Sequence, residues 1–188
     1  MNSLVPAQAA AQFLSLLVFA TAAKWYAAPR LKALGRAEAL IALLWVHVVR
    51  YVALQAFSAQ RDGFPISDHA LADIVTGDLA GSTIAVLAIF ALRYRLRFGL
   101  ALAWLLVAET AYDTVTNIHG GMQEHLLGAA SGLTWMILAF YVPLVVVSVI
   151  LMAWQLYARR GEELDRAAGG ATPSAELADL TPRRRYAR

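Results

Sequence analysis

The sequence predicts an all-α, polytopic membrane protein with five transmembrane helices. Of its 188 residues, 60% are hydrophobic, and the mean hydropathy is +0.56, whereas a soluble domain of this length carries fewer apolar and more charged residues. The apolar residues also fall into runs of about 20, the length that crosses a bilayer core at about 1.5 Å per residue. We place the five spans at residues 5–23, 39–58, 71–92, 97–117 and 132–157.

The basic residues predict the orientation of these spans. Arg61 alone lies on one side, Arg50 lies inside the second span, and the other fourteen of the sixteen Lys and Arg lie on the opposite side. Because positive residues collect on the cytoplasmic side, we expect the N-terminus outside and the C-terminus in the cytoplasm. The fourteen are Lys24, Arg30, Lys32, Arg36, Arg93, Arg95, Arg97, Arg159, Arg160, Arg166, Arg183, Arg184, Arg185 and Arg188.

Composition gives the domain organisation and the source. Residues 1–23 lack a basic region before their apolar run, so we interpret them as a retained first span rather than a signal peptide. We therefore expect a five-helix transmembrane domain over residues 1–158 and a disordered, basic cytoplasmic tail over residues 159–188. Fourteen Arg against two Lys indicates a bacterial source with a GC-rich genome, which makes the expected location the inner membrane.

Polar residues recur inside the second, third and fourth spans. Glu109, Asp113 and Asn117 follow one another at steps of four, which keeps them on one helical face. Asp78 lies inside Gly77-x3-Gly81, a spacing of small residues that lets a neighbouring helix approach closely. The residues that we expect to form a ligand-binding cluster are His47, Arg50, Tyr51, Gln55, Asp78, Glu109, Asp113 and Asn117.

The cost of charge in lipid predicts that these groups meet in one interior cleft that opens to the outer side. An ionised side chain at the centre of a membrane helix costs roughly 2.5–3.5 kcal/mol. We therefore expect Arg50 to pair with Asp78 or Glu109, since its planar guanidinium matches a carboxylate. One arginine against the three acids Asp78, Glu109 and Asp113 leaves a formal charge of −2 if His47 is neutral. A proton, a cation or a cationic ligand would reduce that charge.

Three functions fit this cluster. The first is binding or transport of a proton, a cation or a small cationic ligand. The second is an intramembrane enzyme that acts on a lipid or isoprenoid-like substrate, with Glu109, Asp113 and His47 as candidate acid–base residues. The third is an accessory subunit of a larger membrane complex.

The sequence also limits the chemistry and the partners. Without cysteine, the chain has no disulfide, thiolate metal site or thiol nucleophile. It contains neither Gly-x-Ser-x-Gly nor His-Glu-x-x-His, and a zinc site on His47, Asp78 and Glu109 would need three spans to converge, so we predict no metal site. The expected partners are membrane lipids, an ion or small molecule, and further subunits, either identical copies or those of a complex, but no nucleic acid.

Overall fold

The computed structural model describes residues 4–162, and every regular element in that range is helical. Five long helices follow one another along the chain. They are α1 (Leu4–Ala33), α2 (Arg36–Arg61), α3 (Asp68–Arg93), α4 (Gly99–Gln123) and α5 (Gly132–Ala158). The predicted tail lies outside the described residues from residue 163 onward.

Four of these helices, α1, α2, α3 and α5, are long and apolar enough to cross a membrane. The chain is therefore a helical, multi-pass membrane protein. Its outer surface agrees with a lipid environment, since large apolar side chains such as Phe13, Leu87 and Ile150 are more than half exposed. Aromatic side chains that favour the membrane interface are exposed on α1 and α5 near one end of the bundle, at Trp25 and Trp154.

The helices α2, α3, α4 and α5 form a ring in which each packs on its two neighbours, and α1 lies outside the ring against α5. The core of the ring consists of leucine and alanine from α2, α3 and α4 together with Met152 and Leu156 of α5. Alanine and glycine on α3 lack bulky side chains, so α2 and α4 can both approach it closely. This approach brings the polar residues of the three helices together.

The bundle has two ends, which we name by their connections. The α2–α3 end holds the connections 62–67 and 124–131 and the start of α1, where Gln8 Oε1 accepts a hydrogen bond from Gly128 N at 3.0 Å. The α3–α4 end holds the connections 34–35 and 94–98 and the end of α5. There Arg159 Nη2 donates to Leu34 O at 2.9 Å, which ties the α1–α2 connection to α5.

Two predicted helix ends were wrong. The first helix does not end at residue 23, because a π-helical turn at Ala23–Ala27 carries it on to Ala33. Pro29 follows in the first turn of the resumed α-helix.

The fourth helix does not end at residue 117 but continues to Gln123, so His119 is helical. Just beyond the helix end, the chain changes direction at His125, whose φ of 55° is left-handed. Leu126 N there bonds back to Gly121 O at 2.9 Å, which satisfies a carbonyl at the helix end.

Candidate functional site

Arg50 lies where α2 changes its helical geometry. The segment Val49–Gln55 is a 3₁₀-helix in the middle of an otherwise α-helical span, a feature that often marks a functional hinge or strain. Neighbouring helices use the carbonyls that precede it, since Ser82 Oγ donates to Val48 O at 2.7 Å and Tyr141 Oη donates to Val46 O at 2.8 Å. The backbone that carries Arg50 is thus held by side chains of α3 and α5.

The guanidinium of Arg50 reaches both α3 and α4. Its Nε donates to Asp78 Oδ1 at 2.7 Å. Its Nη1 donates to Glu109 Oε2 at 2.7 Å and to Thr110 Oγ1 at 2.9 Å. Its Nη2 donates to Glu109 Oε1 at 3.2 Å and to Asp113 Oδ2 at 2.7 Å. A guanidinium has five N–H donors, so this one is fully used.

Burial differs between the arginine and its partners. The Arg50 side chain is 2% exposed, whereas those of Asp78, Glu109 and Asp113 are 22%, 16% and 13% exposed. The cation is therefore enclosed, and each carboxylate keeps an accessible part. The group has one guanidinium and three carboxyls, a formal charge of −2 if all three are ionised.

Two glycines of α3 make room for this arrangement. A Cβ at Gly81 would overlap Arg50 Nη1, would lie 2.5 Å from Arg50 Cζ and would lie 2.9 Å from Glu109 Oε2. A Cβ at Gly77 would overlap Asp113 Oδ1 and would lie 3.0 Å from its Cγ. The guanidinium and the Asp113 carboxylate thus rest directly on the backbone of α3.

The prediction that Arg50 pairs with Asp78 or Glu109 is confirmed, because it pairs with both. Asn117 lies within hydrogen-bonding range of Asp113, as its position one turn further along α4 implies. The ligand-binding role of these residues stays a prediction.

Three other predicted members stand apart from the ion pairs. His47 is completely buried, and neither of its ring nitrogens has a hydrogen-bond partner among the described residues. Tyr51 is 54% exposed and takes no part in the hydrogen bonds around Arg50. Gln55 is hydrogen-bonded to Thr134 of α5 at 3.4 Å.

The predicted ligand-binding cluster did not include Thr110, Gly81, Ser82 or Tyr141, which the geometry places at the site or next to it. Thr110 and Gly81 contact the guanidinium directly, and Ser82 and Tyr141 hold the backbone before it. Thr110 follows Glu109 directly, and Gly81 belongs to the small-residue spacing, so the sequence contained a signal for both residues. Ser82 and Tyr141 lie on helix faces that only the packing of the bundle defines.

The comparisons place this cluster within a family. A family model described as a domain of unknown function (DUF8737) matches residues 7–157. The chain belongs to this DUF8737 family. The match extends from α1 to the last turn of α5, and it therefore contains every residue of the Arg50 cluster as well as Gly77 and Gly81. No curated protein and no solved structure matches the chain.

The carboxylates of the Arg50 cluster are arranged around a guanidinium rather than around a metal site. In residues 4–162 no group of three or more His, Asp or Glu side chains is arranged to hold a metal ion. The carboxylate oxygens converge on the guanidinium instead. The site therefore has excess negative charge around an arginine that is already hydrogen-bonded.

Proposed function

We propose that all five helices cross the membrane. Helix α4 falls short of the other four in hydropathy because its second half carries Glu109, Asp113, Asn117 and several threonines. With 25 residues it has a length of about 37 Å at 1.5 Å per residue, enough for the hydrocarbon core. It also packs between α3 and α5, both of which are apolar enough to span, and its polar face points to α2 and α3.

We further propose an inner-membrane location with the α2–α3 end outside and the α3–α4 end in the cytoplasm. The positive residues of the connections support this orientation. At the α3–α4 end, Arg97 lies in the 94–98 connection, Arg93 lies beside it, and Lys32 lies beside the 34–35 connection. The α2–α3 end carries Arg61 as its one Lys or Arg within the described residues.

We propose that the protein binds a proton, an inorganic cation or a small organic cation at the Arg50 cluster. The observation that supports this function is the approach of three carboxylates to one enclosed guanidinium. A medium of low dielectric constant does not hold two surplus negative charges without compensation. Uptake of a positive charge from the partly exposed side of the carboxylates lowers that cost.

The surface of the α2–α3 end supports the same function. Its acidic residues are more numerous than its single arginine, and an acidic surface raises the local concentration of cations. Glu124 contacts the connection 62–67, because its side chain accepts a hydrogen bond from Ser67 N at 3.0 Å. The acidic residues in the connections and helix ends here are Asp62, Asp68 and Glu124.

Isothermal titration of the purified full chain in lipid nanodiscs tests this function. The probes are acid, Na⁺, K⁺, Ca²⁺ and tetramethylammonium, each added to the wild type, to Asp113→Asn and to a control, Asp73→Asn. Asp73 lies on α3 as an exposed partner of His69, so its loss leaves the cluster intact.

We expect at least one probe to bind the wild type and the control with equal affinity. The same probe should bind Asp113→Asn at least tenfold more weakly. If no probe binds, or if Asp113→Asn binds as the wild type does, the proposed function is wrong.

A further inference from the structure

The three carboxylates do not approach Arg50 in the same way. Glu109 uses both of its oxygens, Oε2 on Nη1 at 2.7 Å and Oε1 on Nη2 at 3.2 Å. This bidentate geometry is the strongest pairing of a carboxylate with a guanidinium. Both oxygens of Glu109 accept hydrogen bonds from the guanidinium, so Glu109 fits the site as the counter-ion of Arg50.

Asp78 and Asp113 share the other edge of the guanidinium. The Nε–H and one Nη2–H point out of that edge side by side, and each aspartate places one oxygen there at 2.7 Å. Since Glu109 already balances the single positive charge of Arg50, the two aspartates meet with no further cation among the described residues. Two carboxylates that share one site cannot both ionise easily, and one of them takes up a proton.

The three carboxylates leave too few oxygens free to coordinate a cation larger than a proton. Of the six carboxylate oxygens, four are engaged by Arg50, and Asp78 Oδ2 and Asp113 Oδ1 remain. Asp113 Oδ1 lies against the backbone at Gly77. A metal ion such as Ca²⁺ takes six to eight oxygen ligands, whereas a proton needs one oxygen.

We propose that Asp78 and Asp113 hold one exchangeable proton between them, which makes the proton the ligand of this cluster. The proposal rests on the proposed function, which it narrows to one ligand. On uptake, a proton from water forms an O–H bond with one aspartate oxygen. On release that bond breaks, the electron pair stays on the oxygen, and the formal charge of the cluster returns from −1 to −2.

Other ionisable groups face the pair from the surrounding helices. The experiment must distinguish them from the aspartates. Arg50 of α2, Glu109 of α4 and Tyr141 of α5 lie beside the pair, while His47 lies next to Arg50 and Tyr51 lies next to Tyr141.

Infrared difference spectroscopy of the full chain in nanodiscs, titrated from alkaline to acid pH, tests the proposal. A protonated carboxyl gives a carbonyl band that shifts in D₂O. We expect the wild type to show a titrating band in addition to those of the exposed carboxyls. This band should be lost in both Asp78→Asn and Asp113→Asn, because the remaining aspartate then stays ionised beside Arg50. The band should persist in the controls Asp73→Asn and His47→Gln.

A variant that fails to fold would also lose the band, so a second measurement uses the wild type alone. Tetramethylammonium, Na⁺ and Ca²⁺ should leave the titration of the band unchanged. If one of them displaces the proton, the cluster binds a cation, and this proposal is wrong although the proposed function holds. A band that survives in both aspartate variants, or that is lost in His47→Gln, overturns the proposal. If neither acid nor any cation produces a response, both proposals are wrong.

Discussion

Arg50 links α2 to both α3 and α4 through its side chain. All five of its donors are used by side chains of the other two helices. Loss of one partner of a buried ion pair costs about 3–5 kcal/mol, because the remaining charge is left without compensation. A lysine at this position has three donors on a single nitrogen and cannot reproduce the bidentate contact with Glu109.

Gly81→Ala is the substitution that tests the close approach at this site. The added methyl group would displace the guanidinium from the backbone of α3, so we expect a loss of about 3–5 kcal/mol in the free energy of unfolding. Denaturant titration in mixed micelles measures this quantity.

Gly120→Ala is the matched control for that substitution. A Cβ at Gly120 meets nothing within 4 Å. Alanine in a helix is favoured over glycine by roughly 0.5–1 kcal/mol, so the control should be as stable as the wild type or more so. Equal stabilities for the two variants would contradict the packing described for Gly81.

At the scale of the helices, the irregular turns lie beside the cluster. The 3₁₀-helical segment of α2 carries Arg50, and the π-helical turn Ile137–Tyr141 of α5 ends at the tyrosine that bonds to Val46 O. Pro143 follows that turn after Val142. Proline removes a hydrogen bond from a helix interior, so Pro143 accounts for the irregularity of α5, whereas the 3₁₀ segment of α2 has no proline or glycine to indicate it. Its geometry depends on contacts with α3 and α5.

The connection between α2 and α3 is held to the end of α4 by Glu124. This carboxylate accepts hydrogen bonds from both Ser67 N and Ser67 Oγ, and these bonds lower the pKa of Glu124 below its ordinary value of 4.5. A group whose pKa is lower in the folded state stabilises the fold above its ordinary pKa, and that stabilisation is lost as the pH falls through the lowered value. The wild type should therefore lose thermal stability on acidification from pH values above 4.5.

Glu124→Gln measures this contribution. We expect the thermal midpoint of the variant to fall less on acidification than that of the wild type, since glutamine does not titrate. Asp62→Asn serves as the control. The Asp62 Oδ1 atom lies 3.8 Å from Nε of the exposed Arg61, and Asp62 has no hydrogen bonds comparable to those between Glu124 and Ser67. A variant with the full pH dependence of the wild type would show that the Ser67 contact does not stabilise the connection.

At the scale of the whole molecule, the proposed topology places the connections 62–67 and 94–98 on opposite sides of the membrane. Because the chain has no cysteine, single cysteines at Asp62 and Leu96, both exposed, report the side directly. A membrane-impermeant maleimide added from outside should label Asp62→Cys in sealed cells, and should label Leu96→Cys only after lysis. The reverse pattern would show that the orientation is the opposite one. Labelling of both variants in sealed cells would show that α3 does not cross the membrane.

Much of this molecule could be predicted from its sequence, for physical reasons that differ between its parts. Apolar runs gave the locations of the helices, since the bilayer imposes a length on each span. The cost of an isolated charge in lipid was enough to predict that Arg50 pairs with Asp78 or Glu109. The ends of α1 and α4 were missed because short helical turns continue past the apolar runs, as at Pro29 and His119.

The parts of the site that could not be predicted depend on packing between helices. The contact of Gly81 with a guanidinium requires the relative rotation of α2 and α3, which no local pattern records. His47 was expected among the polar groups because of its depth, but burial without a partner is visible only when the bundle is assembled. Tyr51 and Gln55 follow His47 at steps of four, yet the 3₁₀ segment that begins at Val49 changes that spacing.

The long sequence separations within the cluster have a consequence for how the protein is made. Arg50 leaves the ribosome 28 residues before Asp78 and 59 residues before Glu109. During this interval α2 has a charge at its centre that costs roughly 2.5–3.5 kcal/mol on the scale measured for the translocon. The first counter-charge arrives with α3, so we expect α2 to remain at the insertion channel until α3 has been synthesised and to enter the lipid with it as a hairpin.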